Sequence, residues 1–370
     1  MKSLGQKIQR AFVCLLVLIV GAAWKGGEPQ SAQPAPATPA GERAAAPTPG
    51  ADRQIILDVV VTNHSRKPVA GLQQQDFTVL DDKQPRTISS FSVFAKTRGS
   101  EDLPEQSVVV VDAVNTPFDA IAYQREQLDR YLRQVGSELP LPMSVSVLTD
   151  KSASQSAASS DGNTVANSLD AAQSGLRIIN RAQGFYGAQE RFQISLPALN
   201  RLVEGVAMQP GRKLVIWVGP GWPLLSGREM EMMIAQKDQA QIFNTIVKLS
   251  SALRQGRVTI YNVDQPGVRE SMSREFYYEN FLKGVSSANQ AQFGNLAIQV
   301  LAVQSGGLVL NTSNDLGSSV AACLADGQAF YTLAFEAPAA NSPNEYHSLQ
   351  VKMNKPGLTA RTRTGYYAQP

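Results

Sequence analysis

The sequence predicts an α/β domain, a mostly parallel sheet with helices on both faces, set between two β segments. Three observations predict it. Short, fully apolar runs alternate with helical patterns across residues 106–327. The segments on either side, 54–96 and 329–368, instead alternate apolar and polar residues with turn signals between them. At 370 residues the chain is longer than one average domain, and its 43% hydrophobic content supplies a full core.

The N-terminus reads as a targeting segment. Lys2, Lys7 and Arg10 precede an apolar run, Ala11–Ala23, that is shorter than the roughly 20 residues a membrane span needs. Residues 1–24 are therefore expected to be a signal peptide, with Gly21-Ala22-Ala23 offering small residues for cleavage. Cys14 lies inside the apolar run behind Val13, which argues against a lipid attachment site. Residues 25–53 are rich in Pro, Ala, Gly and Gln and read as a linker that cannot bury a core. The expected location is outside the cytoplasm: periplasm, cell envelope or extracellular space. Any membrane contact would run through an uncleaved signal segment.

Residues 54–96 read as three strands. "QIILDVVVTN" is the first, and "DFTVLDDKQPRTISSFSVF" supplies two more around an Asp81-Asp82-Lys83 turn. The α/β domain is placed at 106–328. Its strands are expected at Val108–Val111, Met143–Leu148, Lys213–Val218, Val258–Val263 and Leu308–Leu310. Its helices follow from apolar residues on one face: Ile121, Leu128, Leu132 and Val135; then Leu199, Leu202, Val203 and Val206; then Leu316, Val320 and Leu324. "DKSASQSAASSDGN" fits a weak edge strand and loop. A long helical stretch from 228 to 256 begins with Met230, Met232 and Met233 and reads as a cover for the sheet. Residues 329–368 give three further strands, expected to pair with the N-terminal ones, since three strands alone make a poor domain.

Composition narrows the function. The net charge of +3 comes from scattered basic residues, unlike the clustered face that nucleic-acid binding needs. Past the signal segment only Cys323 remains, so no internal disulfide forms and the core must carry stability. Cys323 sits in an Ala-rich apolar stretch and reads as a small buried hydrophobe. His64 and His347 lie in the β segments and read as surface strand or turn residues. There is no Gly-x-Ser-x-Gly elbow, zinc-type spacing or P-loop. Gly219-x-Gly221 lacks the third glycine of a dinucleotide loop, since position 224 is Leu, and reads as a tight turn.

Open parallel sheets bind ligands at the carboxyl ends of their strands. Asp112, Asp150, Gly219 and Asp264 stand at such ends. Asp112 closes "VVVVD" and is followed by Asn115-Thr116-Pro117-Phe118-Asp119. That stretch also reads as an ordinary helix start, with Thr116 as cap, Pro at the first position and an acid at the third. Trp217 is placed in the core and Trp222, in the loop, at the rim of a ligand site. Phe276, Tyr277, Tyr278 and Phe281 are expected to pack inside.

An apolar strand ending in Asp at the front of a strand–helix domain resembles the von Willebrand factor A (VWA) domain. Five segments, in order, resemble the VWFA-related family described from Acidobacteria: "GLQQQDFTVLDDKQPRTISSF", "VVVVDAVNTPFDAIAYQREQLDRYL", "QPGRKLVIWVGPGWP", "RVTIYNVDQPG" and "NKPGLTARTRTGYYA". The resemblance covers residues 54–368. It implies a VWA-like (Rossmann-type) fold flanked by β segments, and no activity. In metal-binding VWA domains the ion is held by Asp-x-Ser-x-Ser plus a Thr and an Asp from later loops, since Mg²⁺ takes six oxygen ligands. Here Asp112 and Thr116 match, but Val114, the Thr-free "GFYGAQERF" and Gly219 do not. The metal site is therefore degenerate, and no cofactor is expected. If any ion binds, it is Mg²⁺ on Asp112 and Thr116.

The reading is a non-catalytic, exported binding protein that recognises a protein partner. Asp112, Asn115, Thr116, Gly219, Trp222 and Asp264 would form its ligand-binding face. The alternatives are an Mg²⁺-dependent adhesion module, a structural envelope component and a cryptic hydrolase using Asp112 and Asp264.

Overall fold

A computed structural model describes residues 53–95, 105–150, 153–172, 184–222, 236–265 and 277–370. The expected signal segment, nearly all of the expected linker, Met230, Met232, Met233 and Phe276 lie outside the described residues. Among the described residues, no helix is long and apolar enough to cross a membrane.

Six strands form the central sheet: β5 (Gln106–Asp112), β6 (Met143–Leu148), β7 (Ala153–Gln155), β8 (Lys213–Val218), β9 (Val258–Val263) and β10 (Val309–Leu310). Their spatial order is β10-β9-β8-β5-β6-β7. All pairings are parallel except β6 with β7, the antiparallel edge. The order reverses beside β5, the switch point of a doubly wound sheet, where such folds open a crevice at the strand ends.

The sequence explains this placement. In β6, β8 and β9 every residue is buried, as are the last six of β5. Strands covered on both faces need apolar residues on both faces, so their sequences run apolar without alternation. Each fully buried Val or Ile contributes about 1.5–3 kcal/mol relative to exposure.

One face of the sheet is covered by α1 (Phe118–Val135), α2 (Gly162–Ala171) and α6 (Leu316–Ala325). The other is covered by α3 (Gly184–Ala207), α4 (Gln236–Gln255) and α5 (Ile298–Gln304). The expected inward faces are buried, including Leu128 and Leu132 of α1, Leu199 and Val203 of α3, and Val320 of α6. Cys323 is fully buried on α6, and burial pushes its thiol well up.

The flanking β segments pair with each other. One sheet has the order β13-β1-β11-β4, from β1 (Gln54–Thr62), β4 (Ser90–Ala95), β11 (Ala329–Glu336) and β13 (Thr359–Arg361). The other has the order β14-β12-β2-β3, from β2 (Phe77–Asp81), β3 (Gln84–Arg86), β12 (Glu345–Met353) and β14 (Gly365–Ala368). Ile55, Leu57, Val59, Phe77, Val79, Leu333, Phe335 and Tyr366 fill the core between them.

Each segment yields four strands where three are expected. In the N-terminal segment the hairpin breaks after Arg86. Pro85 has no N–H to donate, which suits a short edge strand, and the chain then crosses to pair β4 with β11. In the C-terminal segment the break falls at 362–364, where the chain changes sheets. There Thr362 Oγ1 donates to the Asp58 carbonyl at 2.8 Å and the Thr364 N–H to Gln304 at 3.1 Å.

Candidate functional site

Asp112 is the last residue of β5 and is completely buried. Its carboxylate is enclosed by donors. Oδ1 accepts the backbone N–H groups of Val114 at 3.1 Å and Asn115 at 3.0 Å. Oδ2 accepts Asn115 Nδ2 at 2.8 Å and the Trp217 indole N–H at 3.0 Å. A carboxylate has about four acceptor positions, so these bonds use its capacity. Burial pushes its carboxyl pKa up, and the bonds from Asn115, Trp217 and Val114 pull it back.

The donors come from two elements. Val114 and Asn115 lie in the turn after β5, and Trp217 is the fifth residue of β8. Asn115 Nδ2 also donates to Ser195 Oγ on α3 at 2.9 Å. One carboxylate thus ties the β5 turn to β8 and, through Asn115, to α3. Trp217 is in the core as expected, with a polar task the sequence did not reveal. Ser195 was not anticipated, and an isolated Ser in a helix carries no signal for it.

Thr116 is also buried, at 1% exposure. The expected helix start shifts by one residue. Pro117 is the N-cap of α1, so Thr116 stands one place ahead of the cap. Gly219 closes against it: a Cβ there would lie 2.7 Å from Thr116 Oγ1 and 3.0 Å from Asp112 Cβ. Its φ of +134° adds a second reason for glycine. The Gly219 carbonyl accepts Asn262 Nδ2 at 2.9 Å. Asn262 is the one amide in the apolar run "VTIYNV", the local irregularity that marks it in the sequence.

Trp222 corrects the sequence reading. It is not at a rim but 1% exposed. Its indole N–H donates to the Leu296 carbonyl at 2.9 Å, and its ring packs edge-on against Trp217 at 5.6 Å. A large ring with a satisfied N–H is worth more to the core than to a wet loop. Tyr278 and Phe281 pack with Ala297 and Val300, as expected.

Asp264 follows β9 and is partly buried. Its carboxyl is pushed up to about 7, first by burial and then by the neighbouring Asp112 charge. So Asp112, Asn115, Thr116, Gly219 and Asp264 do converge at the strand ends. The first three lie beneath the surface and form a floor under the loops.

The residues do not fit a Mg²⁺ centre. Such an ion needs converging oxygens. Here Asp112 faces N–H donors from Trp217, Asn115 and Val114, whose positive ends repel a cation. Gly219 offers no side-chain oxygen where a carboxylate would be required.

His347 is the second correction. It is 6% exposed, not a surface residue. Its Nδ1 lies 3.0 Å from Asp81 Oδ1 and 3.3 Å from Asp82 Oδ2, and its ring stacks on Tyr366. Asp81 also accepts Arg86 Nε and Tyr366 OH, both at 3.2 Å. Asp82 and Lys83 carry φ of 48° and 67°, the two-residue turn that suits a tight hairpin. This cluster fastens the β2–β3 hairpin to β12 and β14. His64 is exposed in a turn, as expected.

No family model matches the chain, and no curated protein matches it. Among solved structures it is similar to the conserved hypothetical protein BatB from Bacteroides thetaiotaomicron, at 12% identity and a TM-score of 0.33, over 61% of this chain and 98% of that one. It is similar to a von Willebrand factor type A protein from Catenulispora acidiphila, at 10% identity and a TM-score of 0.32, over 86% and 75% of the two chains. A third is the manganese-loaded TRAP protein of Plasmodium vivax, at 11% identity and a TM-score of 0.32, over 76% and 98%. The chain's own pairings give an α/β fold, a mostly parallel sheet with helices on both faces and antiparallel strands flanking it.

Proposed function

We propose that this chain is an exported, non-catalytic recognition module that binds a protein partner, without metal, through the loops at the carboxyl ends of its parallel sheet. The observation that carries the reading is the internal saturation of Asp112. A carboxylate bonded on both oxygens to four N–H groups is set up to hold loops still. It is poorly placed to accept a proton from a substrate or to share in an ion's shell. Fixed loops over a rigid floor lower the ordering cost of binding a protein. The order of the five sequence segments also supports a place in the VWFA-related family. The apolar run before residue 24 supports export.

A second reading keeps the module but moves the contact to the sandwich. Strand β4 is a sheet edge, and Val93 on it is 46% exposed. An open groove of about 770 Å³ runs beside it, lined by Leu72, Phe77, Ile88 and Phe91. An open edge offers unpaired backbone groups to a partner strand. This favours the structural-envelope alternative, in which the β segments drive assembly.

Photo-crosslinkers placed singly in the native host separate the two. Asp119 and Asn314 are exposed beside the strand ends, and Val93 marks the sandwich edge. The proposal expects discrete adducts from positions 119 and 314 that persist in EDTA. Adducts from position 93 alone would move the site to the sandwich.

A further inference from the structure

We propose that Asp81, Asp82 and His347 form a binding site for one divalent transition-metal ion of the zinc class, which locks the β2–β3 hairpin to β12. The ligand atoms would be His347 Nδ1, Asp81 Oδ1 and Asp82 Oδ2. Imidazole and carboxylate together suit zinc, and three protein ligands with a fourth position for water make a complete set. Asp81 and His347 are 266 positions apart along the chain, so no local spacing could show the site.

Two carboxylate oxygens converge on one ring nitrogen. Nδ1 lies 3.0 Å from Asp81 Oδ1 and 3.3 Å from Asp82 Oδ2. One N–H serves a single acceptor well and two poorly, whereas a divalent ion serves both. Ligand atoms around a tetrahedral ion at about 2.0 Å stand about 3.3 Å apart, close to the spacing found. Each carboxylate is held by its other oxygen. Asp81 Oδ2 accepts Arg86 Nε and Tyr366 OH, and Asp82 Oδ1 accepts the Ser348 N–H at 2.8 Å and Ser348 Oγ at 2.9 Å. The Asp82 N–H donates back to the Ser348 carbonyl at 2.8 Å, so the turn is clamped although the Asp82 side chain is half exposed. Such outer bonds orient the ligands before an ion arrives.

Access and charge fit a cation. Asp81 is fully buried and His347 nearly so, while Asp82 opens to solvent. The ion would enter from that side and keep a water there. Glu345, two places before His347, adds a third negative charge, and Arg86 is the cation bonded to the group. His347 Nε2 is buried without a hydrogen-bond partner. Metal-bound imidazoles usually donate that second N–H, and lacking such a bond costs about 10–100-fold in affinity, so the site is of the micromolar rather than the nanomolar class. Placement gives the ion a task. Strand β12 pairs with β14 through His347 and Ser348, and with β2 from Leu349 onward. The ion would sit at that step and hold the hairpin where the ladder between β2 and β12 ends.

The test uses the full chain, stripped of metal with a chelator and titrated with Zn²⁺ by calorimetry, beside His347→Gln and Asp82→Asn. The proposal expects one ion per chain, a rise in melting temperature of about 5 °C at a hundredfold excess over Kd, and the visible bands of a tetrahedral site when Co²⁺ is used instead. His347→Gln abolishes all three, and Asp82→Asn weakens binding by about tenfold or more. Asp82 is half exposed, so its variant answers the question even if His347→Gln fails to fold. No saturable Zn²⁺ heat in the wild type would overturn the proposal. So would equal affinity in Asp82→Asn, which would place the ion elsewhere, such as on the exposed His64.

Discussion

Asp112→Ala is expected to lower stability by about 3–5 kcal/mol, because it strands four N–H groups in the interior. The buried charge itself is not a bargain, since burial raises the Asp112 pKa despite the four bonds. The loss comes from what removal leaves behind: two backbone amides, an indole and the Asn115 amide without their acceptor. Asn115 keeps its bond to Ser195 Oγ, so the damage concentrates at Trp217 and the β5 turn. Asp112→Asn keeps the shape but replaces one acceptor oxygen with an NH₂ that confronts existing donors, so it is expected to fall between the two. Urea titration checks this through the midpoint, with the slope unchanged. A midpoint equal to that of the wild type would mean these groups find water, and the floor is not closed.

The second large effect is in pH. Asp264 holds its proton to about 7 in the folded chain, against a usual 3.8. Between about pH 4 and 7 the folded state therefore keeps a proton that the unfolded state has lost. Stability tied to this group is greatest below the lower value and falls as pH rises through the window, by at most about 1.4 kcal/mol per unit. Partial exposure reduces the total, so about 1–3 kcal/mol by pH 8 is the expected sum. Asp264→Asn removes the penalty. It is expected to leave stability little changed at pH 4.5 and to raise it at pH 8. The difference between the two proteins across that range is the quantity to measure. A flat difference would mean that Asp264 is solvated and feels little of Asp112.

Much of this fold was legible because two of its causes are local. Strands β6, β8 and β9 carry the bounds expected from their apolar runs, since a strand covered on both faces cannot alternate. Helix faces such as Leu199, Leu202, Val203 and Val206 follow from the 3.6-residue period. The site was legible only in its location. Asp112 could be placed at a strand end, but its donors are Trp217, 105 positions away, and three groups of its own turn. Asn115 reaches Ser195 across 80 positions. No local pattern encodes such pairings.

The errors have the same origin. Trp222 follows Gly219-Pro220-Gly221, a stretch with every local mark of an exposed loop. Its burial depends on Phe192 and Leu296 arriving from other elements. His347 sits in an alternating strand, and Asp81 reaches it from a hairpin 266 positions away, with Asp82 beside it. The breaks between β3 and β4 and between β13 and β14 reflect strands that serve two sheets, a decision taken by tertiary pairing.

The central claim is that Asp112 is closed by the protein's own N–H donors and holds the recognition loops without an ion. Calorimetric titration of the full chain with Mn²⁺ and Mg²⁺, beside Asp112→Ala, tests it most directly. The account expects no saturable heat from either ion that depends on Asp112. Saturable binding lost in the variant would contradict it, and Asp112 would then be a metal ligand whose present hydrogen bonds give way to the ion.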